Sequence, residues 1–375
     1  MVKLRLTGAV GTASEGAAGG AEAPPAGVAG GAPELAEGAP TLAQGVPPLA
    51  PPAGRLAPAQ APTRGIQFGA EPPAVTLVIP TRNRIAYLQE TIASCLGQRY
   101  PHCRVIVADD GSTDETAALV QSLAAHGVSL VSGPHGGGPA NRNRALTTVT
   151  TPFVMWVGDD DLLLPEAVAS RVAMLHRFPD ADVVHGDLLQ VNAQLTPQQP
   201  ITYEDWYHRP DALLAMLFQR NVIADGGSLV RTAVYARAGV YDEAFPRGHD
   251  YHLWSRLPLR ARFKHDPGVT YLWRWHGSNL GLGSGANPYA DCHRRIVLEM
   301  WTRFDREQLL PEIPWARIPA AQRDGIAALA LADRLARESA WEEAQQFARL
   351  AVTLGAGAQA VQLVSALTER RERAA

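Results

Sequence analysis

Three features of the chain predict an α/β fold with a mostly parallel sheet flanked by helices. Short β-branched runs alternate with stretches of helical spacing, two of the runs end in clustered aspartates, and helical patterning alone fills the last ninety or so residues. The 375-residue length allows two or three domains. We expect an Ala/Gly/Pro-rich disordered extension over 1–73, an α/β unit over 74–284 and a helical C-terminal region over 285–375.

The extension repeats Ala, Gly and Pro with scattered Glu and few large apolar side chains to offset the entropy of ordering it. Folded sequence begins with Val75-Thr76-Leu77-Val78-Ile79-Pro80, a buried strand stopped by proline. Ile85, Leu88, Ile92, Cys95 and Leu96 mark a helix. Arg104-Val105-Ile106-Val107-Ala108 is a second buried strand, ending at Asp109-Asp110-Gly111-Ser112. Thr113-Asp114-Glu115 opens a helix, with acids where the helix dipole favours them. Val128-Ser129-Leu130-Val131 is a third strand, followed by a glycine-rich loop over 133–138 and a helix over 140–147.

The fourth strand, Phe153-Val154-Met155-Trp156-Val157, runs through Gly158 into Asp159-Asp160-Asp161. Three adjacent carboxylates repel, and a divalent cation with oxygen preference is the usual counter-charge. The competing reading is a cap for the helix that starts near Pro165. In parallel sheets ligands bind beyond the carboxyl ends of the strands, so Asp109-Asp110 and residues 159–161 are expected to converge. The rest of this half reads as mixed: strands near 183–187, 228–230 and 269–273, and helices near 211–219, 232–237 and 249–257. From Asn287 onward the pattern is helical, with Trp341-Glu342-Glu343-Ala344 read as a link between two helices that pack on the α/β unit.

Composition narrows the function. The net charge of -3 gives no global electrostatic case for nucleic acid. Lys3 and Lys264 are the only lysines, so positive charge is almost all Arg. Cys95, Cys103 and Cys292 form no CxxC pair, which argues against a disulfide framework or zinc knuckle. No window approaches ~18 consecutive apolar residues and the N-terminus lacks a secretory core, so a cytoplasmic protein, at most peripheral at a membrane, is expected.

Val78-Ile79-Pro80-Thr81-Arg82-Asn83-Arg84, then Asp109-Asp110-Gly111-Ser112-Thr113-Asp114, then Arg142-Asn143, then Asp159-Asp160-Asp161 resemble family 2 glycosyltransferases of the GT-A, Rossmann-like fold. The order and spacing of the blocks carry the resemblance, which runs from about residue 75 to 280. It implies inverting transfer of a sugar from a nucleotide diphosphate sugar, UDP-linked above all, assisted by Mn²⁺ or Mg²⁺. The acceptor would be a saccharide, a lipid carrier or a protein, in cell-surface or exopolysaccharide synthesis. The C-terminal helices would offer a surface for a membrane or protein partner.

The resemblance also implies roles. Asp110 and Thr81 would meet the nucleobase, although a turn at Asp110 also explains that acid. Arg142, after the glycine-rich loop, would pair with phosphate or hold an aspartate, and Arg82 would assist. Asp160 would hold the metal, with Asp159 and Asp161 at sugar hydroxyls or metal-bound water. His276, in Trp273-Arg274-Trp275-His276, would ligate metal or phosphate. Asp250 would be the general base, because an inverting displacement needs a group to take the acceptor proton. Trp254, Trp273 and Trp275 are candidates for stacking on sugar rings.

Two departures stand out. Gly158 replaces an acid carried by many members, and His249 replaces the first acid of a pair ahead of Leu253-Trp254. The second keeps open a catalytically degenerate binding module. A sugar nucleotidyltransferase is a further alternative, but residues 78–84 lack its glycines.

Overall fold

The computed structural model describes residues 72–277, 279, 289–337 and 339–374. The expected disorder up to residue 71 and the expected boundary at 284/285 lie outside the described residues.

The first half follows the expected alternation. Strands β1 (Val75–Thr81), β2 (Cys103–Asp109), β3 (Val128–Ser132) and β4 (Phe153–Trp156) lie parallel in the spatial order β3-β2-β1-β4. Helices α1 (Ile85–Leu96), α2 (Thr116–Ser122) and α3 (Gly138–Leu146) connect them. Parallel strands are covered on both faces, which is why they read as unbroken apolar runs. Val75, Leu77, Ile79, Val105, Val107, Met155 and Val157 are all buried in one core with Leu88 and Ile92 of α1. That layer puts Thr81, Asp109 and the 159–161 turn at one edge of the sheet.

The second half is more strand-rich than its sequence suggests. After β5 (Leu162–Leu163) and α4 (Ala167–Arg177) come β6 (Val183–Asn192), β7 (Pro197–Ile201), α5 (Pro210–Gln219), β8 (Leu229–Arg231), α6 (Ala233–Ala238), α7 (His249–Ser255) and β9 (Phe263–Trp275). Strand β8 is antiparallel to both β4 and β6, and β9 runs parallel to β6, so β4, β6 and β9 point the same way. The short β5 lies antiparallel to β9 and completes a single mixed sheet. His276 therefore leaves the same edge of the sheet as Asp159.

One buried cation ties this half together. Arg171 of α4, 1% exposed, pairs with Asp266 at 2.5 Å and donates to Thr270 at 3.0 Å and to the Gly227 carbonyl at 3.3 Å. Gly186 makes room for it, since a Cβ there would lie 2.1 Å from the guanidinium.

Helices α8 (Ala290–Arg303), α9 (Arg306–Leu309), α10 (Ala320–Arg337), α11 (Trp341–Thr353) and α12 (Ala358–Ala374) follow. Residues 341–344, expected to link two helices, instead open α11. The helices pack on the α/β unit, as expected. Arg334 of α10 donates to the Phe218 carbonyl at 2.6 Å, near the C-terminal end of α5, where the helix dipole favours a cation. His252 of α7 pairs with Glu299 of α8 at 2.9 Å. All three cysteines are free, and no helix among the described residues is long and apolar enough to cross a membrane.

Candidate active site

The site is built at the carboxyl ends of β1, β4 and β9. Thr81, the last residue of β1, donates its hydroxyl to Asp159 at 2.8 Å. Arg84, at the head of α1, pairs with Asp160 and lies 3.7 Å from Asp159. His276 reaches the same Asp160 oxygen through Nε2 at 3.0 Å. The His276 ring stacks on Tyr87 at 4.5 Å, and the Arg274 guanidinium sits 5.0 Å over the same tyrosine. Burial, reinforced by the neighbouring Asp160 charge, pushes Asp159 up to about 7.

Asp161 turns the other way. It was expected at sugar hydroxyls or metal-bound water, but its carboxylate faces inward. It accepts the Tyr271 hydroxyl at 2.6 Å and the Arg274 backbone N–H at 2.8 Å, and is 7% exposed. Burial pushes it up to about 8. Thr91 of α1 donates to the Asp161 carbonyl at 2.8 Å and to that of Asp159 at 3.0 Å. Asp161 thus anchors the turn that presents Asp159 and Asp160. Gly158 is required by this anchor, because a Cβ there would lie 2.4 Å from Asp161 Oδ2. A side chain at 158 and an inward Asp161 are mutually exclusive.

Asp110 holds the glycine-rich loop. Its carboxylate accepts the backbone N–H groups of Gly136 and Gly137 at 2.9 Å each and meets His135 Nδ1 at 2.6 Å. Its backbone N–H donates to the Thr81 carbonyl at 3.0 Å, joining the ends of β1 and β2. The bonds within the turn itself are made by other acids, and no side chain caps α2. Asp109 accepts Ser112 N–H at 3.0 Å, and Asp114 accepts Thr116 N–H at 3.2 Å.

Across the loop stands the head of α7. Gly248, at φ 63°, lets the chain turn into the helix, and no side chain caps it. Asp250 lies in the first turn and accepts Asn221 Nδ2 at 3.2 Å, so it is not the cap. The His249 ring lies edge-on to Tyr241 at 5.5 Å, and a Cβ on Gly138 would lie 3.3 Å from it. Burial, with the Arg142 charge nearby, lowers His249 to about 4 and keeps it neutral.

Arg142 was expected to face phosphate or hold an aspartate. It pairs with Asp225 at 3.1 Å while its guanidinium lies 4.6 Å over Trp156. Asp225 stands in the loop before β8, which is fixed by Gly227 N–H to the Trp156 carbonyl at 2.9 Å. Burial raises Asp225 to about 6, Arg142 opposes that rise, and Asp250 adds to it.

The expected residues therefore lie on one linked rim, with different tasks. Arg82 has an exposed side chain and gives Asp159 only a backbone hydrogen bond, while its neighbour Arg84 makes the ion pairs. Asp225 was missed outright, as a lone acid ahead of two glycines with no repeated pattern to mark it. Trp254 is fully buried and Trp273 packs on the core, but Trp275 is 36% exposed, edge-on to Trp273 at 5.1 Å.

Among the described residues no group of three or more His, Cys, Asp or Glu side chains is arranged to hold a metal. Asp160 and His276 offer one carboxylate and one imidazole, but the Asp160 oxygen that meets His276 Nε2 at 3.0 Å also pairs with Arg84, so a cation would bind there by displacing those contacts, with substrate phosphates and water completing its shell.

Residues 76–236 match the family model described as Glycosyl transferase family 2. An uncharacterized glycosyltransferase of Rickettsia felis is 23% identical over 246 residues, covering 63% of this chain and 38% of that protein. Chondroitin synthase of Pasteurella multocida is 24% identical over 212 residues, covering 56% of this chain and 21% of its own. The chain spans about a third to three fifths of the length of the first curated relatives it matches. The structure of S. aureus TarS 1-349 in complex with UDP aligns with a TM-score of 0.52 at 15% identity, covering 80% of this chain and 92% of that one. The parallel half-sheet, the acid-bearing strand ends and the matched segment agree: residues 76–236 are similar to glycosyltransferase family 2, and the chain has the GT-A fold.

Proposed function

We propose that the chain catalyses inverting, metal-dependent transfer of a sugar from a nucleotide diphosphate sugar to a hydroxyl acceptor. The observation that carries this reading is the linked set Thr81–Asp159 and Arg84–Asp160–His276 at the strand ends, facing the Asp250 helix across the glycine-rich loop. A UDP-linked donor is the first choice, because TarS, which shares the fold, has been crystallised with UDP. The acceptor is a saccharide, a lipid carrier or a protein, used at or near a membrane from the cytoplasmic side. The transferase unit is taken as residues 74–284, with 285–375 buttressing it.

In this reading Asp110 fixes the glycine-rich loop beside the nucleotide by taking the Gly136 and Gly137 N–H groups. Thr81 fixes Asp159 at the donor. Asp160 and His276 would hold Mn²⁺ or Mg²⁺, which when bound would supply Lewis-acid neutralisation of the leaving diphosphate. Arg84 adds a fixed positive charge to the same place. Asp250 takes the proton from the acceptor hydroxyl, oriented by Asn221. The buried, neutral His249 keeps a second negative charge away from that helix head.

Incubation of the full chain with Mn²⁺ and a panel of UDP- and GDP-sugars tests this. The expected result is slow release of nucleoside diphosphate, accelerated by acceptor and abolished in Asp250→Asn with donor binding retained. Release of pyrophosphate would indicate a nucleotidyltransferase, and donor binding without any turnover would indicate a binding module. Either overturns the proposal.

A further inference from the structure

Three buried polar atoms converge beside the proposed base. Arg142 Nη1, Asp225 Oδ1 and His249 Nδ1 are each buried with no hydrogen-bond partner among the described residues. One such atom costs roughly 1–3 kcal/mol of stability, and native structures keep few of them. Others are scattered through the described residues, but these three share one neighbourhood, around the Arg142–Asp225 pair and next to Asp250, which fits a place for something polar.

Their geometry says what kind of group fits. An Arg–carboxylate pair normally closes as a two-bond fork. Here only Nη2 meets Asp225 Oδ2, at 3.1 Å, and the other nitrogen and the other oxygen stay unused. The guanidinium is held over Trp156 at 4.6 Å, and the Asp225 loop is pinned by the Trp156 carbonyl to Gly227 N–H and by Arg171 to the Gly227 carbonyl. Neither side chain is placed to swing round and complete the fork. A rigid donor next to a rigid acceptor matches two neighbouring hydroxyls, one accepting and one donating. His249 adds a second acceptor, because its ring bonds the Pro246 backbone and the ring is neutral, which leaves Nδ1 a lone pair.

We propose that Asp225 and Arg142, with His249, form a subsite that grips two vicinal hydroxyls of a sugar ring and so sets which sugar the enzyme accepts. The inference rests on the transferase reading and adds Asp225 to its recognition machinery. The chemistry is common to a donor sugar and an acceptor sugar.

Calorimetry of the full chain with Mn²⁺ separates the cases, comparing UDP alone with UDP-hexoses and GDP-hexoses that are epimers at single carbons. The variants are Asp225→Asn and Asp225→Glu. UDP affinity, expected to stay within about twofold of wild type, reports that the variants are folded. For a donor subsite, both variants lose about tenfold or more of the affinity that the sugar adds to the nucleotide, and discrimination between epimers shrinks. For an acceptor subsite, donor binding is unchanged, and the rise in turnover given by a panel of methyl glycosides is lost instead. Variants that keep both the donor discrimination and the acceptor response overturn the subsite and leave the transferase reading standing. A wild-type chain that binds no nucleotide sugar at all overturns both.

Discussion

Tyr271 and Asp161 meet at 2.6 Å, hydroxyl to carboxylate, across the gap between β9 and the turn that follows β4. The same hydroxyl accepts the Gly158 N–H at 2.9 Å. One phenol therefore fixes both ends of the turn that carries Asp159 and Asp160. The strand from the less regular half of the chain sets the position of acids from the parallel half.

Tyr271→Phe removes both bonds and keeps the ring. Asp161 Oδ2 and the Gly158 N–H then lose their partner in a buried place, while Asp161 Oδ1 keeps the Arg274 N–H. We expect a loss of about 1–3 kcal/mol in urea unfolding, with a fall in turnover larger than any change in UDP affinity. Unchanged stability would show that the turn is held by Thr91 and the backbone alone.

Gly158→Ala tests the exclusion between residue 158 and the inward carboxylate. The new methyl would lie 2.4 Å from Asp161 Oδ2, and overpacking of this kind costs about 1–3 kcal/mol. Gly158→Asp should be no better tolerated, as it brings a further charge into the clash. Thermal melts of the two variants check this.

Asp160→Asn should abolish the stabilisation that Mn²⁺ and UDP together give in a thermal shift. Arg84→Met is expected to keep the cation response while lowering turnover by about tenfold, equivalent to about 1.4 kcal/mol of barrier. Equal loss of the cation response in both variants would mean that Arg84 only shapes Asp160.

His249 gives a pH signature. Its folded-state value is lowered from 6.5 to about 4, so between those values the unfolded chain binds a proton that the native chain does not. Its contribution to stability is present above 6.5 and is lost as pH falls toward 4. Asp225, raised to about 6, works the other way by taking up a proton in the native state as pH falls. Denaturation midpoints of wild type and His249→Gln at pH 7.5 and 4.5 isolate the histidine. The gap should move in favour of the variant at the lower pH.

The parallel half was legible because its strands are buried on both faces, so β1, β2 and β4 appear as unbroken apolar runs that end in acids. The other half hid for physical reasons. Strand β9 starts at Phe263, well before the run at Val269, because Lys264, His265 and Asp266 are polar residues satisfied inside the fold. Strand β7 is Pro-Gln-Gln-Pro-Ile on an outer strand, without an apolar pattern. At the site, the clustered acids signalled their place but not their orientation. Nothing in Asp159-Asp160-Asp161 tells that the last one turns inward. That depends on Tyr271, more than a hundred positions downstream. Arg84 and Arg82 look alike in the sequence, and only the start of α1 decides which one reaches the acids.

The matched segment stops at residue 236, whereas Asp250, Tyr271 and His276 come after it. A fragment trimmed to the family model would retain Asp159 and Asp160 but forfeit Asp250, the proposed base, together with the Tyr271 brace and the His276 imidazole. Boundaries for expression or for grafting this pocket onto another scaffold are better drawn beyond the end of β9 than at the limit of the family model.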